Sequence, residues 1–198
     1  MNLPNILTLS RVPMMFVIVG LMYCEWLGAA SLTFWLFIGG AISDWLDGYL
    51  ARRLGIVSDF GKLMDALTDK ILVIGIMVAF VDLQTLPVAY VLITLCREFL
   101  VSGMRMIAAA RGVVVPADKG GKTKTVTQLI AIGFLLAEPM VTRDWAQWIN
   151  FRWDLSMLAE IVHHVGLIGF VLGTALAVWS GYRYFRAHWA LFIADAGK

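Results

Sequence analysis

The chain has 198 residues, of which 60% are hydrophobic and only 15% are charged. Soluble globular domains have an apolar share of about 45–50%, so the composition excludes an ordinary soluble protein and indicates a membrane protein. The formal net charge of +2 by itself identifies no partner, and no nucleic acid is expected among the ligands.

Six long apolar stretches follow one another along the chain. A helix that crosses a bilayer needs about 20 mostly apolar residues, and none of the stretches alternates like the strands of a membrane barrel. The sequence therefore predicts an all-α, polytopic integral membrane protein with one domain over residues 1–198. Its roughly six transmembrane helices are expected at 6–25, 31–51, 63–83, 86–110, 125–142 and 158–184.

Lysine and arginine are concentrated on one side of these stretches. Segments with excess positive charge stay in the cytoplasm, so both termini and the basic connections are expected on the cytoplasmic side of the cell membrane. The amino-terminal segment has no charged start and no small-residue cleavage site, so a removed signal peptide is not expected. The basic residues expected on the cytoplasmic side are Arg52, Arg53, Lys62, Arg111, Lys119, Lys122, Lys124, Arg183, Arg186 and Lys198.

Four aspartates lie in two apolar stretches, near the expected cytoplasmic ends. Asp44 and Asp47 are three positions apart, and Asp65 and Asp69 are four apart, so each pair shares one helix face. Carboxylates are costly inside a membrane, which makes them candidates for a functional site. Oxygen ligands without Cys or His favour a hard ion, so the cluster predicts a Mg²⁺ or Mn²⁺ site. The alternative is that the aspartates cap helix ends or pair with neighbouring Lys and Arg.

The aspartates belong to a longer pattern whose eight fixed positions fall within 26 residues. The pattern resembles the complete signature of the CDP-alcohol phosphotransferases. This resemblance implies the six-span fold of that family, usually a homodimer, and a metal-dependent transfer of a phosphoalcohol group out of a CDP-linked lipid. In this chain the pattern runs Asp44-x-x-Asp47-Gly48-x-x-Ala51-Arg52, then eight residues, then Gly61-x-x-x-Asp65-x-x-x-Asp69.

The resemblance implies a role for each aspartate. Asp44, Asp47 and Asp65 would hold two divalent ions. Asp69 would complete the site and act as the general base that takes the proton of the acceptor hydroxyl. A role for Asp69 as a metal ligand alone is the alternative.

The resemblance also implies a set of residues for the CDP-lipid. Glycine allows the backbone to approach the cytidine closely, and a guanidinium holds phosphate oxygens at fixed angles. Residues of the opening segment would lie near the nucleotide end. The set consists of Asn5, Thr8, Arg11, Gly48, Ala51, Arg52 and Gly61.

Three cations beyond the aspartate pattern indicate the acceptor. Arg97 lies inside an apolar stretch, Arg105 follows about two turns later on a similar face, and Lys124 opens the fifth stretch. A buried cation without a partner is costly in a membrane. Glu98 is adjacent to Arg97, and adjacent helix positions do not face each other. A bound phosphate is therefore the expected partner, and a structural ion pair is the alternative.

The segments around these cations, together with residues 2–11, resemble the corresponding parts of bacterial phosphatidylglycerophosphate synthases. The resemblance implies that Arg97, Arg105 and Lys124 bind the phosphate of glycerol 3-phosphate. The phosphatidyl group of CDP-diacylglycerol would pass to this acceptor, and CMP would leave. A phosphatidylinositol-phosphate synthase or a cardiolipin synthase of the same family is the alternative. From another class, the alternative is a divalent-cation transporter, which would place its carboxylates near the middle of the bilayer rather than at helix ends.

Overall fold

The structure, a computed structural model, describes residues 3–54, 59–110, 112, 119–148 and 155–189. Within these ranges the side chains are described except those at 3–9, 44–54, 59–66, 69, 110, 119, 120, 122 and 188. The described chain contains helices and short turns and no strand, which confirms the all-α prediction. Its long helices are α1 (Leu3–Met22), α2 (Ala29–Leu54), α3 (Asp59–Asp82), α4 (Val88–Ala110), α5 (Lys119–Pro139) and α7 (Leu155–His188). Between α5 and α7 lie a π-helix (Met140–Trp145) and a single turn, α6 (Ala146–Trp148).

Two helical segments, 123–148 and 155–187, are long and apolar enough to cross a membrane. Two shorter apolar segments lie at 10–22 and 29–43. Large apolar side chains are also exposed on several helices, for example Leu100 with 67% of its surface accessible. An exposed apolar surface of this kind suits contact with lipid. The number of spans stays a prediction.

The core is formed where α1, α2, α3, α5 and α7 meet. α1 packs against both α2 and α3, and α2 also contacts α5. The fully buried side chains at the centre come from these five helices, and Val91 of α4 also belongs to the core. They include Ile18, Phe37, Ile76, Ile132 and Phe170.

Small residues set the spacing of the helix pair α5 and α7, the most extensive contact in the described structure. A Cβ at Gly166 would lie 2.8 Å from Leu135 Cγ, and one at Gly173 would lie 2.7 Å from Gln128 Cγ. Gly169 approaches Ala131 in the same way. Small residues in membrane helices allow such close backbone approach, and here they fix α5 against α7 near Lys124.

Asp144 in the π-helix caps the amino-terminal end of α2. Its Oδ1 accepts the backbone N–H of Gly28 at 2.9 Å, and its Oδ2 accepts that of Ser31 at 2.7 Å. The first N–H groups of a helix have no partner within the helix, and a carboxylate there also interacts favourably with the helix dipole. Asp144 is 1% exposed, so this cap holds α2 in the bundle at the end opposite to Asp44 and Asp47.

Candidate active site

The two aspartate pairs occupy matching depths on two helices that follow each other in the chain. Asp44 lies ten positions before the end of α2, and Asp69 lies ten positions after the start of α3. Asp47 and Asp65 are each about two turns from the same ends. Four residues connect α2 to α3, and both helices pack on α1. The two pairs therefore lie at similar distances along α2 and α3 from the connection between these helices, and a site shared by the two pairs stays a prediction.

The side chains of the four aspartates lie outside the described residues, so their contacts stay a prediction. Among the side chains that are described, no three His, Cys, Asp or Glu residues form a group that could hold a metal ion. A set of four carboxylates fits a hard divalent ion in residue type. The side chains predicted for the CDP-lipid at Asn5, Thr8, Gly48, Ala51, Arg52 and Gly61 are likewise outside the described set.

Arg11 is the one predicted CDP-lipid residue whose side chain is described. It lies on α1 with 5% of its surface exposed and lines a groove between α1 and α2. The groove is otherwise bordered by residues such as Met14, Trp35 and Gly39, and it reaches Ser43. Ser43 immediately precedes Asp44. Arg11 is therefore beside the part of α2 where the aspartate pattern begins.

Arg97 and Lys124 meet at a single carboxylate oxygen. Glu98 Oε1 accepts a hydrogen bond from Arg97 Nη1 at 2.7 Å and from Lys124 Nζ at 2.5 Å. All three side chains are largely buried, with 13%, 17% and 5% of Arg97, Glu98 and Lys124 exposed. The expectation that Glu98 is a poor partner for Arg97 was therefore wrong. The rule for adjacent positions describes Cβ directions, whereas these long side chains converge beyond the surface of their own helix.

The Arg97 guanidinium is also anchored to α7. Its Nε donates to the carbonyl oxygen of Ala177 at 3.2 Å, and its Nη2 donates to Ser180 Oγ at 2.8 Å. Gly181 leaves room for the arginine stem, because a Cβ there would lie 3.1 Å from Arg97 Cγ. The position of Arg97 is therefore set by α7 as well as by Glu98.

Further polar contacts connect this cluster to the helix that carries Asp65 and Asp69. Lys70 of α3 donates to Ser102 Oγ, and that hydroxyl donates to the Glu98 carbonyl oxygen at 2.7 Å. Lys70 directly follows Asp69 in the sequence, so these hydrogen bonds connect the cluster to α3 next to the position of Asp69.

Arg105 has a different described contact from those of the other two predicted acceptor cations. It is exposed, and its guanidinium carbon lies 5.6 Å from the centre of the Tyr184 ring on α7, a cation–π contact. Arg97 and Arg105 both contact α7, which agrees with the expectation that they lie on similar faces of α4.

The family model for CDP-alcohol phosphatidyltransferases matches residues 1–189 of the chain. The chain belongs to this family. The resemblance drawn from the aspartate pattern is thereby confirmed, and the match covers every predicted site residue. Membership in the family also agrees with the apolar helices in indicating a membrane protein.

Relatives of similar length share the family over nearly the whole chain. A protein of Bacillus subtilis is 33% identical over 201 residues, covering 95% of each chain. One of Pseudomonas fluorescens is 30% identical over 206 residues, covering all of this chain and 95% of the relative. One of Arabidopsis thaliana is 30% identical over 210 residues, covering 97% and 82%. All three are named CDP-diacylglycerol–glycerol-3-phosphate 3-phosphatidyltransferase, the plant protein with the number 2.

The contacts between α7 and Arg97 were not predicted from the sequence. Ser180 and Gly181 contact Arg97, yet neither was selected from the sequence. The available signal was the spacing of small residues in α7, at positions 166, 169, 173, 177 and 181, which indicates a helix face packed closely against neighbours.

Proposed function

We propose that this chain transfers the phosphatidyl group from CDP-diacylglycerol to glycerol 3-phosphate, giving phosphatidylglycerophosphate and CMP. The observation that carries the proposal is the full-length similarity to relatives named for this reaction. Two features of the chain support it. The aspartate pattern is complete, and the buried cations Arg97 and Lys124 provide positive charge for a phosphorylated acceptor.

The aspartates would carry the chemistry at the ends of α2 and α3. Asp44, Asp47 and Asp65, completed by Asp69, would hold two Mg²⁺ or Mn²⁺ ions, whose charge stabilises the attacking and leaving oxygens of an in-line displacement. The Asp69 carboxylate would accept the proton of the glycerol hydroxyl. That hydroxyl oxygen then forms a bond to the lipid phosphorus, and the bond between this phosphorus and the CMP oxygen breaks.

Both substrates would be held by cations beside the aspartates. Arg11 and Arg52 would neutralise the diphosphate, with Asn5 and Thr8 near the nucleotide and Gly48, Ala51 and Gly61 allowing close approach. The phosphate of glycerol 3-phosphate would bind Arg97, Lys124 and Arg105. Such anchoring orients the acceptor hydroxyl toward phosphorus and lowers the entropic cost of the reaction.

We place the six long helices across the cytoplasmic membrane as six spans. Both termini and the basic connections would then lie in the cytoplasm, where CDP-diacylglycerol and glycerol 3-phosphate would enter the same site. The homodimer usual in the family is part of this proposal.

A CMP-release assay tests the function. Purified protein in detergent micelles receives CDP-diacylglycerol and Mg²⁺ with either glycerol 3-phosphate, inositol phosphate or phosphatidylglycerol as acceptor. We expect CMP release with glycerol 3-phosphate and with neither of the other two acceptors. Release only with inositol phosphate or phosphatidylglycerol would assign one of the other synthase activities, and no release with any acceptor would count against an enzyme.

Replacing Arg105 by alanine is expected to raise the KM for glycerol 3-phosphate by about tenfold, the effect of losing one charge-assisted hydrogen bond. The KM for CDP-diacylglycerol should change little. Arg186→Ala is the matched control, because Arg186 is exposed near the same end of the bundle. An unchanged acceptor KM in Arg105→Ala would remove Arg105 from the phosphate site and leave it as a partner of Tyr184.

A further inference from the structure

We propose that Glu98 is a positioning residue for the acceptor site, whose carboxylate fixes the Lys124 amine against the Arg97 guanidinium. The inference rests on the proposed function, since it assigns those two cations to the acceptor phosphate. Glu98 itself is not expected to contact the reacting atoms.

A series of hydrogen bonds fixes Arg97 first, then Glu98, and finally the Lys124 amine. The Arg97 guanidinium is held by α7 through Ala177 and Ser180, independently of Glu98. The Glu98 backbone is tied to Ser102, and its carboxylate reaches both cations through the same oxygen. The hydrogen bond described for Lys124 is the one to Glu98. The place of the lysine amine therefore depends on this carboxylate.

The charges of the three side chains also support a positioning role for Glu98. Lys124 is 4% exposed, and two cations at such close range in a water-poor region repel each other strongly. One shared carboxylate offsets that repulsion and leaves one unit of positive charge in the group of three. A phosphate would thus bind to two cations that already lie close together and that still carry a net positive charge with Glu98. Without Glu98, binding of the phosphate would also have to bring the lysine amine close to Arg97, which would weaken the affinity for the phosphate.

Replacing Glu98 by glutamine tests this role because it keeps the size of the side chain and removes its charge. We expect the KM for glycerol 3-phosphate to rise by about tenfold or more, since charge-assisted hydrogen bonds are involved. The KM for CDP-diacylglycerol and kcat should stay within about twofold, because the aspartate site is unchanged. Glu138→Gln is the matched control in the same bundle, since Glu138 lies at the far end of α5, 4.0 Å from His163. An acceptor KM that does not change in Glu98→Gln overturns the proposal.

A double-mutant cycle shows whether Glu98 acts through Lys124. In the Lys124→Met background, Glu98→Gln is expected to change the acceptor KM by less than about twofold, because the group it positions is gone. If the two single effects multiply instead, Glu98 acts independently of Lys124, and the proposal is wrong.

Glu98→Asp keeps the charge and shortens the side chain by one methylene. It therefore tests the same role if the glutamine variant does not fold. A raised acceptor KM with an unchanged CDP-diacylglycerol KM supports positioning, and no change in either overturns it. Failure of the proposed function is distinguishable, because the unsubstituted protein would then release no CMP with glycerol 3-phosphate. If that protein releases CMP normally and the acceptor KM of Glu98→Gln is unchanged, only the positioning role of Glu98 is rejected, and the proposed function stands.

Discussion

Replacing Asp69 by asparagine is expected to lower kcat by about 10²–10⁴-fold, the usual contribution of a general base, while CDP-diacylglycerol still binds. Asparagine has the same shape and keeps one oxygen, but it does not accept a proton at neutral pH. The measurements are CMP release under saturating substrates and the stabilisation of the purified variant by CDP-diacylglycerol in a thermal melt. Turnover near that of the unsubstituted protein would reject Asp69 as the base.

Asp82→Asn is the matched control, because Asp82 ends the same helix at its opposite end and accepts a hydrogen bond from the Tyr23 hydroxyl at 2.8 Å. We expect its kcat to be unchanged. The concentration of Mg²⁺ or Mn²⁺ separates the two roles considered for Asp69. If Asp69 is a metal ligand alone, a high metal concentration should restore the rate of Asp69→Asn, whereas a missing base is not replaced by added metal.

The positions of the helices could largely be predicted, because each long helix coincides with a run of apolar residues in the sequence. Each of the six predicted stretches overlaps one long helix, and 86–110 differs from α4 (Val88–Ala110) by two residues at one end. The largest difference is at α5, which begins at Lys119 rather than 125. The extra turns are too polar to be detected by hydropathy. They place Lys124 inside a helix, where it reaches Glu98.

The candidate site was predictable only where its residues are close in sequence. The aspartates form a short pattern, and helix geometry alone relates their positions. The Glu98–Lys124 ion pair spans 26 positions, and the contact from Arg97 to Ser180 spans 83. Such contacts depend on how α4, α5 and α7 pack, which no local pattern contains. The rule about adjacent helix positions therefore wrongly excluded Glu98 as a partner of Arg97.

Replacing Asp144 by alanine is expected to destabilise the protein by about 2–4 kcal/mol, because the N–H groups of Gly28 and Ser31 lose a charged acceptor and α2 loses its cap. For a chain of this size, that corresponds to a melting temperature lower by roughly 4–16 °C. Asp144→Asn should lie between alanine and the original residue, since its amide retains one acceptor oxygen for Gly28 or Ser31. The measurement is a thermal melt of the detergent-solubilised protein.

Arg143→Ala is the control for Asp144, because it removes a neighbouring exposed charge from the same π-helix and leaves the cap in place. Its melting temperature should stay within about 2 °C of the original. The cap lies at the opposite end of α2 from Asp44 and Asp47, so the folded fraction of Asp144→Ala should keep its kcat at low temperature. Equal melting temperatures for Asp144→Ala and Arg143→Ala would mean that α2 does not need the cap. A lower kcat without a lower melting temperature would mean that Asp144 influences the aspartate pairs through the length of the helix.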